Sequence, residues 1–185
     1  MKENVLNKEF KCLNHGFVRL VDIMGDDSSI VQAARVSYGQ GTKTIREDKG
    51  LINYLLSHAH TSPFEMVELK FHCKMPIFIA RQWIRHRTAS VNEISGRYSE
   101  MKDEFYIPEI GKVNLQSKDN KQGRGDELEL DLQKSIIDSM TDEQKKAYEN
   151  YKSYLEKGTA KELARIDLPL SLYTEWYWKI DLHNL

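Results

Sequence analysis

The sequence predicts an α+β domain. Three observations carry this: two runs that alternate apolar and polar residues, several stretches with helical apolar spacing, and an irregular succession of the two without internal repeat. Strands scattered among helices in this way fit an α+β sheet better than regular βαβ winding. A chain of 185 residues suits one domain with a real core.

Phe17 to Met24 reads as a strand, followed by a turn at Gly25-Asp26-Asp27-Ser28. Ser28 or Ser29 is the expected cap of a short helix through Ser37, with Ile30, Ala33 and Ala34 on one face. Leu51, Ile52, Leu55 and Leu56 mark a second helix ending near Ser57. From Met66 to Met75, Val67, Leu69, Phe71, Cys73 and Met75 point one way and Glu68, Lys70, His72 and Lys74 the other, a strand with one wet face. Pro76 suits the first turn of a helix that buries Ile77, Ala80 and Ile84, with Arg81 and Arg85 sharing another side.

Lys112 to Asp131 is polar and contains Gly123 and Gly125, so it reads as a flexible insertion. Thr141-Asp142-Glu143-Gln144 has the form of a capping box, opening a helix with Ala147, Tyr148, Tyr151, Tyr154 and Leu155 inward and Gly158 as its stop. Thr159-Ala160-Lys161-Glu162 has the same form and opens a short helix before Pro169. Leu172, Thr174, Trp176, Trp178 and Ile180 lie on one face of a last strand.

Composition narrows the function classes. The net charge of −1 gives the whole molecule no attraction for nucleic acid, so any anion binding must be local. Two cysteines, Cys12 and Cys73, suggest no disulfide framework and a reducing cytoplasm. The polar N-terminus shows no signal peptide, and no apolar stretch reaches the length of a membrane span.

The chemistry concentrates between Arg81 and Tyr98. Arg81, Arg85, Arg87 and Arg97 alternate there with Trp83, Ile84, Ile94 and Tyr98. Guanidinium groups held against apolar surface bind carboxylates or phosphates through forked hydrogen bonds, although any single arginine could equally sit in a salt bridge. If a helix ran through Arg85 and Arg87 they would point about 200° apart, serving two anions on either side of His86. Ser95-Gly96 can offer backbone N–H groups to an oxyanion. No Gly-x-Ser-x-Gly elbow surrounds Ser95 or Ser90, which counts against a hydrolase triad with His86 and Glu93. His58, His60 and Glu65 hint at a metal site, but two histidines are weak evidence and a polar pocket wall is the expected reading. Neither Gly-x-Gly-x-x-Gly nor a Walker-type loop is present.

These motifs carry a resemblance. Arg85-His86-Arg87, seven residues, then Ser95 resembles the signature of the flavin-dependent thymidylate synthases. Gln82-Trp83, Asn92-Glu93-Ile94-Ser95-Gly96-Arg97-Tyr98-Ser99 and Phe105-Tyr106-Ile107-Pro108 extend it. So do His60-x-Ser62-Pro63-Phe64-Glu65, Ala33-Ala34-Arg35-Val36-Ser37 and Ala164-Arg165-Ile166-x-Leu168-Pro169-Leu170. The resemblance implies a single domain with a mixed or antiparallel sheet flanked by helices. It implies reductive methylation of dUMP to dTMP, with methylenetetrahydrofolate as carbon donor, NADPH as reductant and FAD as hydride carrier. It also implies a homotetramer with shared active sites.

By position, the resemblance assigns FAD to His60, Ser62, Arg85, His86, Arg87, Glu93, Asp181 and His183. It assigns dUMP to Gln82, Trp83, Ile84, Arg85, Glu93, Ile94, Ser95, Gly96, Arg97 and Arg165. Asp181 and His183 stand where the family often has Asn and Arg. Ser95 is expected to bind an anion rather than act as nucleophile. Cys73, on the apolar face of a strand, reads as a core residue, which argues against the cysteine-dependent synthases. Related chains usually continue past Leu185 into helices bearing a further Asn and the Arg that activates uracil. No catalytic residue is therefore expected within these residues, and a chain without that Arg should hold FAD and dUMP less well. The competing readings are a nucleic-acid-binding module, a metal hydrolase and a non-catalytic flavin-binding remnant.

Overall fold

The computed structural model describes residues 5–36 and 45–185. Its centre is a five-stranded antiparallel sheet. The strands are β1 (Glu9–Cys12), β2 (Gly16–Met24), β3 (Glu68–Pro76), β4 (Ser90–Glu93) and, near the chain's end, β7 (Tyr173–Asp181), in the order β1-β2-β3-β7-β4. A two-stranded sheet of β5 (Asn114–Gln116) and β6 (Arg124–Glu127) stands apart. The helices are α1 (Asp27–Arg35), α2 (Ile45–Ser57), α3 (Ile77–Trp83), α4 (Leu130–Glu156) and α5 (Lys161–Ala164), with a 3-10 helix at Ser62–Met66. No helix among the described residues is long and apolar enough to cross a membrane.

The apolar face of β3 and β7 forms the main core. Cys73, Met75, Trp176, Trp178 and Ile180 are buried there against Ala80 of α3. Trp83 closes the layer edge-on to Trp176 and Trp178, with ring centroids 5.7 and 5.1 Å away. Truncating a buried aromatic of this kind costs about 3–5 kcal/mol. Burial also pushes the Cys73 thiol up to about 12 from its ordinary 9.0, so it stays a neutral core group. Two smaller cores flank the sheet. One joins Ile30 of α1, Leu55 of α2, Phe64 and Val67, and the other joins Met101, Phe105, Tyr151, Ala164 and Leu172.

Several elements depart from expectation. The cap of α1 is Asp26, whose carboxylate accepts from Ser28 N–H at 2.9 Å while Ser29 Oγ accepts from Asp26 N–H at 3.2 Å. The expected end at Ser37 lies outside the described residues. The polar face of β3 is partly covered: His72 is buried, accepting from Arg19 at Nδ1 and donating from Nε2 to Glu175 at 2.6 Å. An arginine can only donate, so its contact fixes that tautomer. The segment 112–131 holds the β5–β6 hairpin and the first turn of α4.

The capping box at Thr141 does not start a helix, because α4 runs through it and Thr141 Oγ1 donates to the Ile137 carbonyl one turn back. Gln144 is buried and ties α4 to the Tyr106 carbonyl at 3.0 Å and the Ser171 hydroxyl at 3.1 Å. α5 likewise begins without a side-chain cap. Gly158, at φ 80°, ends α4 as expected.

Candidate functional site

The sheet separates the candidate residues into two groups at opposite ends of β7. At its C-terminal end Leu182 N–H donates to the Val67 carbonyl at 2.8 Å, tying the chain between Asp181 and His183 to the residue that follows the 3-10 helix Ser62–Met66. Asp181 accepts from the Asn184 backbone at 2.9 Å and from its side chain at 2.8 Å. Burial would raise this carboxyl, but those hydrogen bonds outweigh it and hold the group below its usual range. β4 starts at this end too, with Ser90 opposite Lys179.

Arg85-His86-Arg87 joins α3 to β4. The helix stops at Trp83, and Arg85 and His86 donate their N–H groups to the Gln82 and Trp83 carbonyls at 3.2 and 3.0 Å. Arg85 therefore does not share a helical side with Arg81, and Arg85 and Arg87 are not at helical spacing. Gln82, Arg81, Arg85, His86 and Arg87 are all exposed, while Trp83 is half-buried in the core. No carboxylate among the described residues pairs with Arg81, Arg85 or Arg87. Trp83 and Ile84, expected at the nucleotide, differ in this: Trp83 is a core residue and Ile84 is 36% exposed.

The second group lies toward the other end of β7. Asn92 and Glu93 belong to the edge strand β4. Glu93 stands opposite Trp176 and so shares the sheet face that α3 covers. Its carboxylate accepts from the buried Thr174 hydroxyl at 2.5 Å. Beyond it the chain turns at Ser95, whose carbonyl accepts from Tyr98 and Ser99 N–H at 3.1 and 2.9 Å. Ser95 Oγ accepts from Arg97 N–H at 3.3 Å. The N–H groups of Ser95 and Gly96 have no acceptor among the described residues.

Gly96 is buried against Arg165. A Cβ at this position would lie 3.0 Å from Arg165 Nη1 and Cδ and 2.9 Å from Met101 Sδ. Only glycine leaves room for the guanidinium beside the turn. Arg97 Nε lies 3.3 Å from Glu162, and Lys161 donates to the Tyr98 carbonyl at 2.8 Å. A cleft of about 490 Å³ opens next to this turn, lined by Ile77, Met101, Glu162, Arg165 and Leu168 among others. Two N–H groups without an acceptor among the described residues, beside a guanidinium, are groups of the kind that can receive an anion.

The fold thus brings Ser95, Gly96, Arg97 and Arg165 together, with Ile94 entering the turn. No hydrogen bond or ion pair among the described residues joins them to Gln82 or Arg85. Sequence reasoning missed Thr174, Met101, Lys161 and Glu162. The last two stood inside a supposed capping box and gave no other signal. His58, His60 and Glu65 do not converge, and no group of three His, Cys, Asp or Glu among the described residues could hold a metal ion.

A profile of the thymidylate synthase complementing protein family matches residues 19–185. The chain is 62% identical over 181 residues to a flavin-dependent thymidylate synthase of Treponema denticola, covering 97% of this chain and 68% of that one. It is 58% identical over 183 residues to the enzyme of that name from Ehrlichia ruminantium (strain Gardel), covering 99% of this chain but only 62% of that one. Among solved structures, it is similar to the UMP/dUMP methylase PolB of Streptomyces cacaoi bound with 5-Br dUMP. The TM-score is 0.81 at 33% identity, covering 93% of this chain and 76% of that one.

Proposed function

The chain belongs to the thymidylate synthase complementing protein family, and on that premise we propose that it serves the reductive methylation of dUMP to dTMP. The observation that carries this reading is the Gly96 turn. Its free N–H groups and the Arg165 guanidinium would take the phosphate of dUMP, with Arg97 at the rim. Ser95 Oγ accepts from the Arg97 N–H and is hydrogen-bonded to no base among the described residues, so it orients the turn rather than attacks. Glu93, anchored by Thr174, places a carboxylate on the same side of the sheet as Trp83.

The cofactor proposed is FAD, and the donor set fits it. Arg85 and Arg87 are exposed and have no carboxylate partner among the described residues, which leaves them available to a pyrophosphate. Asp181 and His183 lie at the same end of β7 as the start of β4 and as the 3-10 helix that Ser62 opens, with His60 two residues ahead of it in the chain. Held there, a flavin reduced by NADPH would supply the hydride, and methylenetetrahydrofolate would supply the carbon. The protein's share is to neutralise two anions, orient the uracil and exclude water.

No hydrogen bond or ion pair among the described residues joins the two groups, which supports sites assembled between subunits of a homotetramer. The test is direct. The purified chain should be yellow with flavin absorption, sediment as a tetramer and bind dUMP in a calorimeter. Arg165→Gln should weaken dUMP by about tenfold or more, as expected for a lost charge-assisted contact to phosphate. A colourless protein that ignores both FAD and dUMP would end this reading.

A further inference from the structure

The end of α2 carries an arrangement that the proposed reaction leaves unexplained. His60 N–H donates to the Leu55 carbonyl at 2.9 Å and Ala59 N–H to the Leu56 carbonyl at 3.2 Å, with Ala59 at φ 54°. This pair of bonds is a helix stop whose left-handed position is usually glycine. Here a residue with a Cβ holds that conformation against steric resistance.

The bend turns His60 back on its own helix. The Tyr54 and His58 rings stack at 4.1 Å between centroids. The His60 ring lies 6.2 Å from Tyr54 and 6.4 Å from His58, within 21° and 20° of parallel. His58 is itself pinned, because its Nδ1 donates to the Tyr54 carbonyl at 2.9 Å. Ser57 Oγ, 3.1 Å from the same nitrogen, also donates to that carbonyl at 3.0 Å.

All three ring-bearing residues are exposed. Burial therefore contributes little to keeping them parallel, and the turn and hydrogen bonds do it instead. Rings held in order at the surface are preorganised for something that contacts them.

We infer that Tyr54, His58 and Ala59 are positioning residues that hold the His60 imidazole in one orientation for the bound flavin. The inference rests on the proposed reading of His60 as a flavin-side residue. It adds residues that act through their contacts with His60.

Two measurements test it. In the ligand-free protein, the His60 ring proton resonance, identified by its loss in His60→Gln, should move in Tyr54→Ala. It should stay in place in Tyr54→Phe, which keeps the stacking ring. In FAD titrations followed by fluorescence, Tyr54→Ala should bind about three- to tenfold more weakly, the range of one lost aromatic contact, with Tyr54→Phe close to the parent. A purely structural role would lower the melting midpoint of Tyr54→Ala and leave FAD affinity unchanged, which overturns the inference. So does a His60 resonance indifferent to Tyr54→Ala. A parent protein that takes up no FAD defeats the flavin reading itself, and with it the purpose given to the stack. The resonance arm still separates that failure from a failure of the ring geometry.

Discussion

Gly96 is the residue on which the candidate nucleotide site turns. Its missing side chain lets Arg165 lie against the chain, and any Cβ there meets Arg165 Nη1 at 3.0 Å. The far ends of the Arg165 and Met101 side chains, at 3.0 and 2.9 Å, are flexible and can both shift, so Gly96→Ala should keep the fold while displacing the guanidinium. Its expected effect is a loss of dUMP affinity of about tenfold with a melting midpoint changed by only a few degrees, measured by calorimetry and thermal unfolding. Equal dUMP affinity in parent and variant would show that Arg165 does not hold the ligand from this position. The arginines and Gly96 were legible because charge interleaved with apolar residues has few structural explanations. Thr174 was not: it belongs to an alternating strand face, and only the β4–β7 pairing brings Glu93 to its hydroxyl. Met101, against Gly96, is likewise an ordinary apolar residue until the chain folds.

At the scale of elements, alternation was a reliable guide and local capping patterns were not. β7 buries Thr174, Trp176, Trp178 and Ile180 as its period of two demands. β1 gave no such signal, because all four of its residues are exposed and its hydrogen bonds to β2 need no buried side chain. β5 and β6 are short and polar for the same reason. α4 shows how packing overrides a motif. Gln144 should have closed a capping box, yet its amide is buried and bonded to Tyr106 and Ser171, which holds the helix straight through Thr141. This makes a prediction of opposite sign to the motif. Were Thr141 a cap, Thr141→Ala would cost about 1 kcal/mol. As an exposed interior residue bonded only to Ile137, its replacement should stabilise by up to about 0.5 kcal/mol. Urea unfolding of the pair decides, and a clear destabilisation would mean that α4 is broken at this point.

The whole molecule keeps neutral groups in its separate cores, and their ionisation sets its alkaline limit. Burial pushes Cys73 in the sheet core up to about 12 from 9.0. Burial also raises the Tyr173 hydroxyl, and it raises Tyr148 with help from the Glu100 and Asp103 carboxylates. For such acids the native state holds a proton that the unfolded chain releases first. Stability is therefore intact below the unfolded values and falls as pH rises through 9.0 for the thiol and 10.0 for the phenols. The melting midpoint should be level near neutrality and decline above about pH 9. Cys73→Ala separates the contributions. At neutral pH the variant should be less stable by about 1 kcal/mol, the usual cost of a small cavity in a packed core. Because it has no thiol to ionise, its decline should begin later, and the gap to the parent should narrow as pH rises. A gap that stays constant from neutrality to the alkaline limit would mean that Cys73 ionises as readily in the folded chain as in the unfolded one. The sheet core would then admit water at β3, where Trp176 and Trp178 now close it.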